Sequence, residues 1–203
     1  MTVGSGASDP IELLHEWCGV GYSAEPSLMT LGTIDLDGEP DARSVLLSGV
    51  DEHGRLLFHT DIRSRKCAQI DRHPQVSLTL AWPANGRQLV VTGFAMPSRD
   101  GEADRAWAAR SRYLRLLGWL NQEDLVRRPL EQRQARWAEF DAAHPEGSLT
   151  RPAWWVGYAV SPRRITAWTA GRGIGSMRRE YRRVLGTEGD LEGYRWTEEV
   201  LAG

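Results

Sequence analysis

Residues 58–70 read FHTDIRSRKCAQI. Phe58, His59 and Thr60 precede a short polar loop, and Ser64, Arg65 and Lys66 then fall at a helix start. The first turn of a helix carries partial positive charge and free N–H donors. Two adjacent cations are unfavourable there unless an anion sits among them. Arg43 opens the run RSVLL, whose alternation places Arg43, Val45 and Leu47 on one face. A hairpin joining that strand to the one ending at Thr60 would bring Arg43, Thr60, Ser64, Arg65 and Lys66 to one end of a sheet. Three cations and two hydroxyls suit a phosphate dianion, because guanidinium binds it as a fork and ammonium as a point charge. The alternative is a solvated basic patch.

Other candidates carry less. GRGIGS (171–176) follows a strand and precedes a possible helix, but it lacks the G-x-G-x-x-G spacing and any surrounding βαβ unit. It reads as a mobile or substrate-facing loop. His15, His53, His73 and His144 have no metal-like spacing, whereas His59 lies beside the proposed anion site. Asp100, Glu102 and Asp104 open a helix, where acids are expected for dipole reasons alone. Cys18 and Cys67 have neither metal nor redox spacing, so two reduced thiols in a cytoplasmic protein are expected. The nine tryptophans suit core and interface packing, with stacking on planar rings as the alternative.

The elements that must position these residues follow from pattern. DPIELLHEW reads as a helix with Asp9 as N-cap and Pro10 at its first position. SLMTLGTID is a strand. ARSVLLSGV and RLLFHT form a hairpin around DEHG, and QVSLTLAW and RQLVVTGFAM form another around PANG. Residues 64–73 form a short helix closed by Pro74, and 99–120 and 129–144 are helical. WVGYAVSPRRITAWTA reads as two strands joined at Ser161–Pro162, and the tail as a hairpin around GTEGD. Residues 1–8 read as a disordered tail and 9–203 as one domain. Strands joined mostly by hairpins favour an antiparallel sheet or closed barrel, here an α+β domain with peripheral helices.

Composition narrows the partners. A formal net charge of −2 over 203 residues gives no global pull toward nucleic acid or membrane. No apolar stretch approaches a membrane span, and the first twenty residues lack the pattern of a signal peptide.

The ordered motifs ARSVLL, DEHG, LLFHT, SRK, a Pro eight residues beyond Lys66, and W-P-x-x-x-R-Q resemble the pyridoxamine 5′-phosphate oxidase family of flavin enzymes. ARSRYLRLLGW and WVGYAVSPRRITAW are similar to its later helical segment and strand pair. The resemblance implies an antiparallel split β-barrel, a homodimer, and two FMN molecules at the dimer interface. Arg43, Arg65 and Lys66 would then grip the FMN phosphate, with Thr60 and Ser64 beside them. Ser44, Val45 and Leu46 would lie under the flavin ring by backbone contact. His59 stands where the family often has Tyr. Gln88 would reach the flavin from the other subunit, and Trp168 and Arg178 match the family's C-terminal FMN contacts. Gln122 matches a further contact, although WLNQ is one residue short of the usual spacing.

The substrate side departs from the family pattern. Ser48 replaces a phosphate-binding Lys, Ile174 and Ser176 replace the Arg and His of R-x-H, and Ala106 and Leu114 replace a Tyr and a Ser. Arg110 alone remains of that group. Losing the Lys and Arg contacts would remove about 3–6 kcal/mol of phosphate binding. The resemblance therefore implies an FMN-dependent oxidase acting on a small planar substrate other than a B6 vitamer, of the kind found in secondary metabolism. A hydride would pass from a substrate C–H bond to the flavin, oxidising a C–N or C–C single bond to a double bond, with oxygen as electron acceptor. A true pyridoxine/pyridoxamine 5′-phosphate oxidase and a non-catalytic flavin-binding protein are the alternatives.

Overall fold

The computed structural model describes residues 9–171, 173–185 and 194–203. The expected N-terminal tail and the GTEGD turn lie outside them. Helix α1 (Pro10–Cys18) starts as its sequence requires: Asp9 is extended, and its Oδ1 accepts from the Ile11 amide at 2.8 Å. Leu13 and Leu14 turn inward.

Strand β1 (Gly21–Ile34) pairs with β2 (Pro40–Val50), which pairs with β3 (Leu56–Asp61). Helix α2 (Arg65–Arg72) follows. Strands β4 (Gln75–Trp82) and β5 (Arg87–Pro97) form the second hairpin, turned by a 3₁₀ segment at Pro83–Asn85 and by Gly86 at φ 59°. Four helices come next: α3 (Glu102–Ala109), α4 (Arg112–Leu120), α5 (Glu123–Val126) and α6 (Leu130–Ala143). Strands β6 (Trp155–Thr169), β7 (Met177–Leu185) and β8 (Tyr194–Ala202) complete the described chain.

The sheet order is β3-β2-β1-β4-β5-β6-β7-β8, all antiparallel, and β3 also pairs with β6. That extra pairing closes the first six strands into a split barrel. Strand β6 is shared: residues 155–160 pair with β3 and 164–169 with β7. Period-2 alternation sends Leu31, Phe58, Leu78, Leu80, Leu89, Val91 and Ile165 into the barrel, each essentially without solvent contact. Burying each such side chain stabilises the fold by about 1.5–3 kcal/mol.

Three local expectations are corrected. The 99–120 helix is two helices, parted where Arg110 and Ser111 adopt extended ψ values of 144° and 156°. Ser161–Pro162 is not a join between strands. It lies within β6 beside a bulge: Gly93 pairs with Pro162 and Thr92 with Arg164, which leaves Arg163 as the extra residue. A Cβ on Gly93 would sit 2.1 Å from the Ser161 carbonyl oxygen, so the close approach requires glycine. GRGIGS leads into β7 and not into a helix.

Candidate functional site

Strand β3 delivers His59 and Thr60 to the barrel rim. The loop to α2 is a tight turn in which Asp61 accepts from the amides of Arg63, through Oδ1, and Ser64, through its carbonyl. Ser64 is the N-cap of α2 but makes no capping bond, and the first turn holds no acid. The turn donors and the helix charge are therefore left for something else. Lys66 donates to Thr60 Oγ1 at 2.9 Å, and Thr60 and Ser64 hydroxyls lie 3.4 Å apart. Burial, with smaller contributions from the charges of Arg43 and Arg65, lowers the Lys66 pKa, and Cys67 and Asp61 partly oppose it. Lys66 thus feels the charge of both other cations.

The three cations do not share one surface. Lys66 lines a cavity of about 680 Å³, together with Ser44, Val45, Leu46, Thr60 and Ser64. Arg65 is exposed on α2 and does not line that cavity. Arg43 lies behind the wall: it donates to Asp41 Oδ2 at 2.6 Å, Gln69 Oε1 at 2.5 Å and Thr33 Oγ1 at 2.6 Å. Gln69 in turn donates to Asp41 at 2.9 Å. The Gln69 amide, then Arg43, hold the Asp41 carboxyl below its ordinary pKa. Asp41 and Gln69 escaped the sequence reading. Asp41 could have been found two positions from Arg43 on the same strand face, whereas Gln69 carried no signal.

Across the cavity, the helical layer brings Arg110, Gly118, Asn121 and Gln122. Gln122 Oε1 accepts from Arg63 at 2.6 Å, which ties α5 to the β3–α2 loop over the cavity. His59 lines the floor and stacks on Trp155 at 4.3 Å and 10° between planes. Its Nδ1 is 2.8 Å from Ser48 Oγ. Burial, then the charges of Arg110 and Arg151, push its pKa down to about 3, so the ring is neutral at physiological pH. Gly157 pairs with His59 across the ladder, and a Cβ there would lie 2.7 Å from Nε2. The Arg110 guanidinium lies over Trp155 at 4.8 Å.

The remaining expected residues lie elsewhere. Gln88 pairs with Trp168 and Trp168 with Arg178, so the three form one row across β5, β6 and β7, away from this cavity. Gln88 and Arg178 are exposed. Ile174 is 75% exposed, with Ser176 nearby at the start of β7. Ser48 is buried against His59 and does not line the cavity, and Ala106 and Leu114 are core residues.

A split barrel whose cationic helix end faces a cavity under a helical layer defines a class of protein. The chain belongs to the pyridoxamine 5′-phosphate oxidase family, whose sequence profile matches residues 22–145. It is 36% identical over 170 residues to a pyridoxine/pyridoxamine 5′-phosphate oxidase of Azorhizobium caulinodans, covering 81% of this chain and 78% of that one. A namesake from Rhodopseudomonas palustris is 34% identical over the same shares. Among solved structures it resembles PhzG from Burkholderia lata 383 in complex with tetrahydrophenazine-1-carboxylic acid. That match has a TM-score of 0.75 and 26% identity, and covers 98% of this chain and 95% of the other.

Proposed function

We propose that the protein is an FMN-dependent oxidoreductase acting on a small planar substrate other than pyridoxine or pyridoxamine phosphate. The observation that carries the reading is the cation cluster at the uncapped start of α2. Lys66 lies in the field of Arg43 and Arg65, and Asp41 and Asp61 partly offset the three cations, with Glu123 and Asp124 on the helical side of the cavity. Such an arrangement fits a phosphate dianion. The adjoining cavity, of about 680 Å³, is large enough for the rest of a flavin mononucleotide.

In this reading Lys66, Thr60 and Ser64 hold the phosphate, with Arg65 at its outer side. Arg43 supports it from behind, kept in place by Asp41 and Gln69. Ser44, Val45 and Leu46 supply backbone contacts along β2, and Gln122 closes the site from the helical layer. Gln88, Trp168 and Arg178, too far round the sheet to serve this cavity, complete the site of a second copy in a homodimer. FMN, when bound, supplies hydride-transfer chemistry that no side chain here can perform. The protein's share is to bind, orient and exclude water. Neutral His59, packed between Ser48 and Trp155, offers the floor an uncharged ring. Among the described residues lining the cavity, Arg110 is then the cation left to meet an anionic substrate group, since Arg63 is paired with Asp61.

The likeness to PhzG, solved with a tricyclic carboxylic acid, supports a ring substrate outside vitamin B6. The names of the curated relatives favour a second reading, a pyridoxine/pyridoxamine 5′-phosphate oxidase. Against it stand the positions that match the family's substrate-phosphate contacts: Ser48 is turned to His59, and Ala106 and Leu114 are apolar and buried. The absorption spectrum of the purified protein tests the cofactor. Oxidised-flavin bands that bleach with a ring substrate and return in air are expected, and a colourless protein that takes up no added FMN would overturn the proposal.

A further inference from the structure

A second cavity, of about 190 Å³, lies between the α3–α4 junction and the loop after α6. Arg110, Ser111, Arg112, Arg115, Glu146 and Leu149 form its walls, and Arg110 also lines the large cavity. Ser48, Ala106 and Leu114 do not border it.

Its charge is unbalanced. Arg112 pairs with Asp141 and donates to the carbonyls of Asp141 and His144, so it is already committed. Among the described residues no carboxylate lies within ion-pair distance of Arg110 or Arg115. Glu146, at the exposed side, is the only acid in the wall. Arg115 Nη2 donates to the Ala108 carbonyl at 2.7 Å, which anchors the guanidinium beside the cavity, while its buried Nε has no partner among the described residues. Helix α4 also opens here. Ser111 makes no capping bond and the first turn has no acid, so the amides of residues 112–114 lack helical acceptors. Two guanidiniums without a carboxylate partner among the described residues and the uncapped start of a nine-residue helix border a space the size of one small ion and a few waters.

We propose that this cavity binds a small oxyanion, a phosphate, sulfate or carboxylate group, at a site separate from the large cavity. Arg115 and the start of α4 are its main donors. Arg110 is shared, so an anion here competes with Trp155 for the Arg110 guanidinium and thereby reaches the large cavity. The anion is either free or the charged end of a ligand that passes Arg110.

The test is calorimetric titration of inorganic phosphate into the K66A variant, in which the α2 site is weakened, at ionic strength matched with chloride. Saturable binding near one per chain is expected, at least tenfold weaker when Arg115→Met is added. Absence of saturable heat, or equal affinity with and without Arg115, would overturn the proposal. Should R115M misfold by circular dichroism, crystals of the unmodified protein soaked in selenate decide instead. An anomalous peak between Ser111 and Arg115 supports the site, and none at high selenate refutes it. Benzoate separates the two sources. Competition with phosphate means a ligand-borne carboxylate reaches the site, and phosphate binding without competition means a free anion; both support the site. Because the titration does not require flavin, a colourless protein would sink the oxidoreductase reading and leave this one standing.

Discussion

Lys66 meets the cavity directly, whereas Arg65 and Arg43 act from its edge and from behind its wall. Replacing Arg65 and Lys66 together by Ala should therefore weaken FMN binding at least tenfold, since the Lys66 contact contributes roughly 1.5–3 kcal/mol and Arg65 adds to it only from the edge. Flavin retained through dialysis at wild-type levels would contradict this. His59 makes a different prediction. Its pKa falls from 6.5 to about 3 in the folded chain, so the unfolded chain binds the extra proton between those values. Stability should be full above about pH 6.5 and fall as pH drops toward 3, with a slope approaching roughly 1.4 kcal/mol per pH unit from this group. Urea melts from pH 7 to 4 should show a shallower fall in H59F than in the wild type, and parallel curves would rule the effect out. At this scale the sequence was informative about residue type and less so about partners. Alternation put Arg43 on one face with Val45 and Leu47, but its link to Gln69 joins a strand to a helix 26 positions on, which no local pattern encodes.

Single elements carry the geometry that holds these residues. The bulge in β6 lets one strand serve two neighbours, turning from β3 toward β7 as it passes Pro162. Gly93→Ala would force a Cβ against the Ser161 carbonyl, a clash with backbone that cannot rotate away. A loss of stability of about 1–3 kcal/mol is expected, read as a lower midpoint in thermal or urea melts. A neutral result would mean that the bulge tolerates a wider spacing. Most elements were legible because hairpins and caps are local signals: Asp9 and Pro10 marked α1, and PANG marked the β4–β5 turn. The errors arose where a local signal has two readings. Pro162 signalled a break, although a proline is equally at home at a bulge. Ser111 was an available N-cap, masked by the continuous apolar periodicity on both sides of it.

Taken whole, the molecule separates its expected site residues into two groups: a cavity beneath the helical layer, and the Gln88–Trp168–Arg178 row on the sheet extension. If both serve one cofactor, two copies must meet. Sedimentation should give a dimer at micromolar concentration, and Trp168→Ala should release flavin without disturbing the cation cluster. A flavin-loaded monomer would refute the shared site. Substrate choice belongs to this scale too, because on the proposed reading Ser48 on β2 and Ala106 and Leu114 on the helices stand in place of the family's substrate-phosphate contacts. Turnover of pyridoxine phosphate should stay below a kcat/KM of about 10⁴ M⁻¹ s⁻¹, and faster turnover would favour the vitamin reading. The closure of the barrel has a further consequence, in time and not in space. Strand β3 finds β6 by pairing Leu56 with Val160, 104 positions later. During synthesis both hairpins can form early, yet the β3 and β5 edges stay open until β6 emerges. Such long-range closure slows folding and leaves half-built sheets exposed to other chains. Yield in a heterologous host should therefore depend on the rate of translation through the helical segment that delays β6, more than on the stability of the finished barrel.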